Sequence, residues 1–281
     1  MTDKWIGREE HREDRVDHGL IRRWAATFDD ADAPIDTVPQ GFHWCLCTPE
    51  AGTAMLGADG HLRHSDDPDS LIPPIPLPRR MWASSKLEFH RPLQAGQAVT
   101  RHSHIANVAE KHGGSGKLVF VDVAHDTIGP DGLAVHETQT LVYREAATDG
   151  SAPPLPTLLH DRFDATPWDA HRMLVPSETL LFRYSALTFN SHRIHYDWPY
   201  TTGVEGYRGL VVHGPLTATL LLDLARRRFG DNALRRFAFR GMSPAICGEE
   251  LHLALRGDGD DIELGAFAAD GRQVMSATAA I

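Results

Sequence analysis

Cysteine is scarce in this chain: Cys45, Cys47 and Cys247 are the only three in 281 residues. So few, and an odd number, exclude a disulfide framework. The single residue between Cys45 and Cys47 is not the CxxC spacing of redox or zinc sites. Reduced thiols in a cytoplasmic protein are the expectation. Long apolar runs are missing too: no stretch approaches the roughly 18 residues of a membrane helix. The charged stretch Met1 to Asp17 lacks the apolar centre of a signal peptide. Net charge is -10 with histidine neutral, which argues against nucleic-acid or anionic-membrane partners. A Gly-rich phosphate loop and a G-x-S-x-G nucleophile elbow are both absent.

What is present suits a globular chain. Apolar residues make up 42% and charged residues 23%, enough to bury a core. Residues 1–30 read as helix, with Ile21, Trp24, Ala25 and Phe28 at helical spacing. Residues 31–85 are broken by prolines, including Pro73, Pro74, Pro76 and Pro78, and read as extended loop. From Lys86 to Arg144 the pattern is of strands. Lys117 to Val123 is β-branched and aromatic, the turn Gly129-Pro130-Asp131-Gly132 follows, and Ala134 to Tyr143 is a further strand. Residues 146–165 read as a linker. Pro215 to Arg228 reads as one buried helix, with proline in its first turn and a solvated arginine end. Strands follow from Arg235, with a turn at Ala269-Asp270-Gly271. Pro92 and Gly96 recur as Pro244 and Gly248 at a constant offset of 152 positions, each pair preceding strands and an Asp-Gly turn. Such recurrence predicts two similar units packed together.

The chemistry concentrates between Phe182 and Asp197, where Asn190, His192, Arg193, His195 and Asp197 fall within eight positions. His213-Gly214 follows, just before the buried helix. This block resembles the MaoC-like (R)-specific enoyl-CoA hydratases, whose pattern is Y-R-x-S-G-D-x-N-P-x-H-x-D followed by H-G before a helix. His195 matches the catalytic histidine, Asp197 the aspartate two residues on, and His213-Gly214 the H-G. Asn190 stands where the family has its catalytic aspartate, His192 where it has asparagine, and Arg193 where it has proline. The variant over Phe182 to Asp197 is more similar to a subfamily of 3-hydroxyacyl-thioester dehydratases and of mesaconyl-C4-CoA (3-methylfumaryl-CoA) and itaconyl-CoA hydratases. The resemblance is strong over residues 182–224 and diffuse over 86–281.

It implies an α+β double hotdog, two sheets each wrapped around a helix. Residues 1–145 would form a degenerate first unit with a leading helix and Pro-rich loop, and 166–281 the catalytic unit. It implies a hydro-lyase that reversibly hydrates a short branched unsaturated acyl-CoA. The alternatives are a dehydratase of fatty-acid metabolism and a thioester-binding protein without catalysis. An acyl-CoA is the expected partner, with no other cofactor, in a homodimer.

Adding water to an unsaturated thioester needs a base for water, an acid for the α-carbon and donors for the enolate oxygen. Imidazole titrates near neutrality and suits the proton work, which falls to His195. A neutral amide is no base, so Asn190 is expected to position the water. His192 is a second shuttle or a holder of a thioester or carboxylate. Gly214 at a helix N-terminus offers backbone N–H to the oxyanion. Asp197 and His213 are expected behind the reacting groups. Arg193 is a candidate grip for a carboxylate or CoA phosphate, and Tyr207 and Arg208 are candidates on the substrate loop. A metal among His192, His195, Asp197 and His213 is not expected, since HxxH lacks the i, i+4 spacing and adjacent Glu of zinc peptidases.

Overall fold

The computed structural model describes residues 3–30, 34–63, 70–113, 116–145 and 162–281. Its strands are β1 (Glu9–Arg15), β2 (Arg79–Phe89), β3 (Ala98–Gly113), β4 (Gly116–Gly129), β5 (Gly132–Arg144), β6 (Ala170–Leu174), β7 (Arg236–Gly241), β8 (Leu251–Asp258), β9 (Asp261–Ala268) and β10 (Gln273–Ala280). All ten join one sheet in the order β1-β3-β4-β5-β2-β7-β10-β9-β8-β6. The order on one side of the β2–β7 junction repeats on the other, with β1 to β5 corresponding to β6 to β10. The seam itself is antiparallel, from Ser84↔Arg240 to Glu88↔Arg236.

The recurring Pro-Gly spacing has a structural cause. Gly96 and Gly248 both sit at φ +82°, a conformation that disfavours a Cβ. Their N–H groups make matching bonds, to Val16 O at 2.7 Å and to Pro176 O at 2.8 Å. The sequence similarity therefore marks one tight turn used twice.

The helices are α1 (His18–Thr27), α2 (Glu178–Leu187), α3 (Trp198–Gly203) and α4 (Gly214–Phe229). The expected helix over residues 1–30 shrinks to α1, capped by Asp17, whose Oδ1 accepts from Leu20 N at 2.9 Å. Residues 9–15 are instead an edge strand paired with β3. They carry no apolar stripe to hold a helix down, and their charges suit a solvated edge. Residues 34–63 and 70–78 contain 3-10 turns at Phe42–Cys45 and Thr53–Met55 and isolated bridges but no longer element, as the prolines predict; residues 79–85 of the expected loop are instead the first part of β2, where no proline interrupts pairing with β5. Phe42, Cys45, Leu46 and Cys47 are buried beneath them.

Helix α4 holds the core. Pro215 lies in its first turn, and nine of its residues, from Leu216 to Ala225, are buried against β6, β8 and β9. Each buried leucine contributes about 1.5–3 kcal/mol. Of the C-terminal arginines, Arg227 and Arg228 are exposed as expected, whereas Arg226 is half-buried and binds Asp30, Asp223 and Asp231. No helix among the described residues is long and apolar enough to cross a membrane. Residues 146–161 of the expected linker lie outside the described residues, and residues 162–165 carry no helix or strand.

Candidate active site

Helix α2 begins at Ser177, whose Oγ accepts from Leu180 N at 3.2 Å. It ends at Thr188, and Phe189 then takes φ +49°. That left-handed residue turns the chain so that Asn190, His192 and His195 line a cleft of about 1,980 Å³. Gly214, His213, Ser185 and Tyr207 line it as well. The cleft is wider than an ordinary small-molecule pocket, and suits a ligand with a long arm.

His195 is 7% exposed. Its Nδ1 lies 2.7 Å from Val211 O; a carbonyl only accepts, so Nδ1 carries the proton and Nε2 keeps a lone pair. Burial, opposed by that bond, lowers the His195 pKa to about 4, so the ring is a neutral base at pH 7. It stacks on His213 with ring centroids 3.5 Å apart. His213 is the N-cap residue of α4, and its Nε2 meets Ser185 Oγ at 2.8 Å. Burial holds His213 neutral too. The catalytic-histidine candidate thus sits at the tip of the buried helix, where first-turn N–H groups have no helical partner. A Cβ on Gly214 would meet nothing within 4 Å, so the space beside its α-carbon is open, and the residue lines the cleft.

Asn190 Oδ1 accepts from His192 N at 2.9 Å. Its acceptor is thereby engaged, and the side-chain NH2 remains to donate to a water. His192 lies edge-on to His195, centroids 5.4 Å apart. Burial, with the charges of the neighbouring histidines, lowers its pKa to about 2.

Two candidates are spent elsewhere. Arg193 does not line the cleft. Its guanidinium pairs with Asp197 at 2.6 Å, lies over the Tyr200 ring and donates to Ala58 O at 2.8 Å. Arg208 also faces away from the cleft, bonded through two nitrogens to Glu249. Neither is placed to grip a substrate, because each already has its carboxylate. Asp197 caps α3 through Tyr200 N at 3.1 Å and orients the loop rather than a histidine. Tyr207 packs on Ile194, Tyr200, Val211 and Ile246 at the cleft wall.

A loop of the first half, which carries no motif in the sequence, also reaches this site. Asp59 O accepts from Arg193 N at 2.9 Å, and Gly60 O from Ser191 Oγ at 2.6 Å. Gly60 has φ +87°, and a Cβ there would sit 1.9 Å from Ser191 O. This contact brings His61 against His192, centroids 4.0 Å apart, with His61 Nδ1 2.9 Å from Asp59 Oδ2. Asp59, His61 and His192 offer donor atoms within 4.8 Å of one another and form the one group among the described residues with spacing to hold a metal ion. The expected quartet His192, His195, Asp197 and His213 is not gathered that way. The first half also supplies a polar wall: Glu137 is buried in the cleft and takes hydrogen bonds from Trp44 Nε1 at 3.0 Å and Ser85 Oγ at 2.6 Å.

A doubled strand order around one long buried helix, with a histidine at the helix tip, defines a double-hotdog protein. A Mycobacterium tuberculosis protein described as a double hotdog matches 98% of this chain and 95% of its own at TM-score 0.59 and 13% identity. HtdX of the same organism matches 97% of this chain and 98% of its own at TM-score 0.68 and 19% identity. Residues 41–247 match the family described as hydroxyacyl-thioester dehydratase type 2, and the chain belongs to that family. It is 41% identical over 280 residues to the mesaconyl-C(4)-CoA hydratase of Chloroflexus aurantiacus, covering 98% of this chain and 95% of that protein.

Proposed function

We propose that this protein is a hydro-lyase that reversibly hydrates mesaconyl-C4-CoA, or the isomeric itaconyl-CoA, to citramalyl-CoA. The observation that carries the reaction is the His195 ring, fixed by Val211 O and stacked at the tip of α4 inside the cleft. The 41% identical hydratase supports the acyl group. His195 Nε2 takes the proton from water as its oxygen attacks the β-carbon, and the resulting imidazolium returns a proton to the α-carbon. Asn190 donates to the water's second lone pair and orients it. The N–H at Gly214 donates to the enolate oxygen, where a preorganised donor is worth far more than in water. Asp197 and His213 hold the loop and the ring. No further cofactor enters this scheme, the protein works in the cytoplasm, and two copies form a homodimer.

Arg80, Arg101, Glu137 and Arg144 put charge on the cleft wall, which supports a carboxylated acyl group, while the width of the cleft would also admit the longer chain of a fatty-acid dehydratase substrate. Loss of enoyl-thioester absorbance on adding mesaconyl-C4-CoA, with no release of free thiol, is the expected result. Tight binding without absorbance loss would show a thioester-binding protein instead. Faster turnover of long-chain 3-hydroxyacyl thioesters would favour the fatty-acid dehydratase.

A further inference from the structure

Hydration of a mesaconyl thioester makes one further demand on the cleft. A mesaconyl group carries a free carboxylate on its β-carbon, beside the attacked atom, and the arginine nearest in sequence to the catalytic histidine is occupied. Arg193 is held by Asp197 and Ala58 O and is outside the cleft.

Another arginine faces that space. Arg80 is in β2, opposite Tyr143 of β5, and lines the cleft together with His61, His192 and His195. The buried Tyr143 faces Arg80 across the β2–β5 pairing, and the charge of the guanidinium acts on its hydroxyl. The charge of Arg80 reaches both His61 and His192 and opposes the protonation of each. The described acidic groups around it have partners. Glu205 faces Arg79 at 3.4 Å and accepts from the Tyr200 hydroxyl at 3.0 Å. Asp59 is bound by His61. Arg144 adds a second guanidinium in the cleft, with a buried Nε that has no hydrogen-bond partner among the described residues.

We propose that Arg80, with His61 and His192, forms a subsite for a carboxylate on the acyl group, and that Arg80 sets the preference for carboxylated substrates. The proposal rests on the functional reading above. The planar fork of arginine matches the two oxygens of a carboxylate, and the neutral His192 has an N–H to offer beside it, while His61 spends its own N–H on Asp59 and packs behind His192. The sequence of rings from His61 through His192 to His195, 4.0 and 5.4 Å between centroids, puts this anion next to the base. Held there, the carboxylate fixes the β-carbon toward the water on Asn190. The same donors Asp59, His61 and His192 would suit a cation by spacing alone. The guanidinium beside them favours an anion.

The test compares Arg80→Gln and Arg80→Lys with the unaltered protein on mesaconyl-C4-CoA and on crotonyl-CoA, which lacks the carboxylate. Losing a charged hydrogen bond predicts a fall of about 10- to 100-fold in kcat/KM for Arg80→Gln on mesaconyl-C4-CoA, and under roughly threefold on crotonyl-CoA. Arg80→Lys recovers part of the loss. If crotonyl-CoA turns over too slowly, its inhibition constant against mesaconyl-C4-CoA gives the same comparison. Equal losses on both substrates, or none, overturn the subsite while leaving the hydratase reading intact. An unaltered protein that ignores every carboxylated enoyl-CoA overturns the hydratase reading itself. Stoichiometric Co²⁺ binding that disappears in His61→Ala would make the cluster a cation site and overturn the proposal as well.

Discussion

The two halves of the sheet repeat one strand order, yet they are filled differently. Between β6 and β7 the chain builds α2, α3 and the long buried α4. Between β1 and β2 the described chain builds α1 and two 3-10 turns. The long helix supplies an open amide tip and a rigid seat for a stacked pair of histidines. The half without it has given up that tip, and its freed chain reaches across to the other half's site. Division of labour here follows from one element kept and one lost.

The sharpest way to break this comparison is His195→Ala. It should lower kcat by about 10²- to 10⁴-fold, the usual worth of a positioned acid/base. His136, on β5 of the first half and paired with Asp126, serves as the control; His136→Ala should stay within about twofold on the same scale. Comparable losses in both variants would dissolve the distinction between a working and a supporting half.

Acid gives the next largest effect. His195 is held at about 4 and His192 at about 2, chiefly by burial, and burial also depresses His61 and His213. Their rings are neutral in the folded protein, while the unfolded chain protonates near the ordinary 6.5. Stability is therefore whole above pH 6.5 and drains as pH falls toward 4, because the unfolded state binds more protons across that window. Thermal melts from pH 7 to 4 should show a steadily falling Tm, and the acid limb of kcat/KM should lie near 4. An acid limb at 6.5 would mean that His195 is solvated.

Gly60→Ala probes the bridge between the halves. With a Cβ 1.9 Å from Ser191 O at φ +87°, the substitution should cost about 1–3 kcal/mol and push the loop away from His192. Denaturant melts and kcat measured together check it, and an unchanged kcat would show that the loop is dispensable. Ser185→Ala is the mildest and belongs to the second half alone. It removes the neutral hydrogen bond between His213 Nε2 and Ser185 Oγ, at about 1 kcal/mol, with a smaller effect on KM.

Much of this was readable beforehand where the information is local. The helix from Pro215, the turn at Pro130 and the His195 motif each lie within about one helix length of chain, and periodicity or turn chemistry reveals them. Residues 9–15 were misread because a charged edge strand has no alternating apolar face, and its pairing partner β3 begins more than 80 positions later. Asp59, His61 and Arg80 escaped for a related reason. They lie in or beside a proline-rich stretch without pattern, and they meet the catalytic loop across separations such as the 135 positions from Ala58 to Arg193. Arg193 and Arg208 were legible as arginines near the site, but not as arginines already engaged; a partner's whereabouts is not written in spacing.

The seam between β2 and β7 carries a last implication. Five consecutive residue pairs, Ser84↔Arg240 through Glu88↔Arg236, weld the halves into one continuous surface. Swinging them apart like jaws would mean unzipping a central ladder. Admission and release of a cargo therefore belong to the loops along the rim, and turnover is insulated from any hinge.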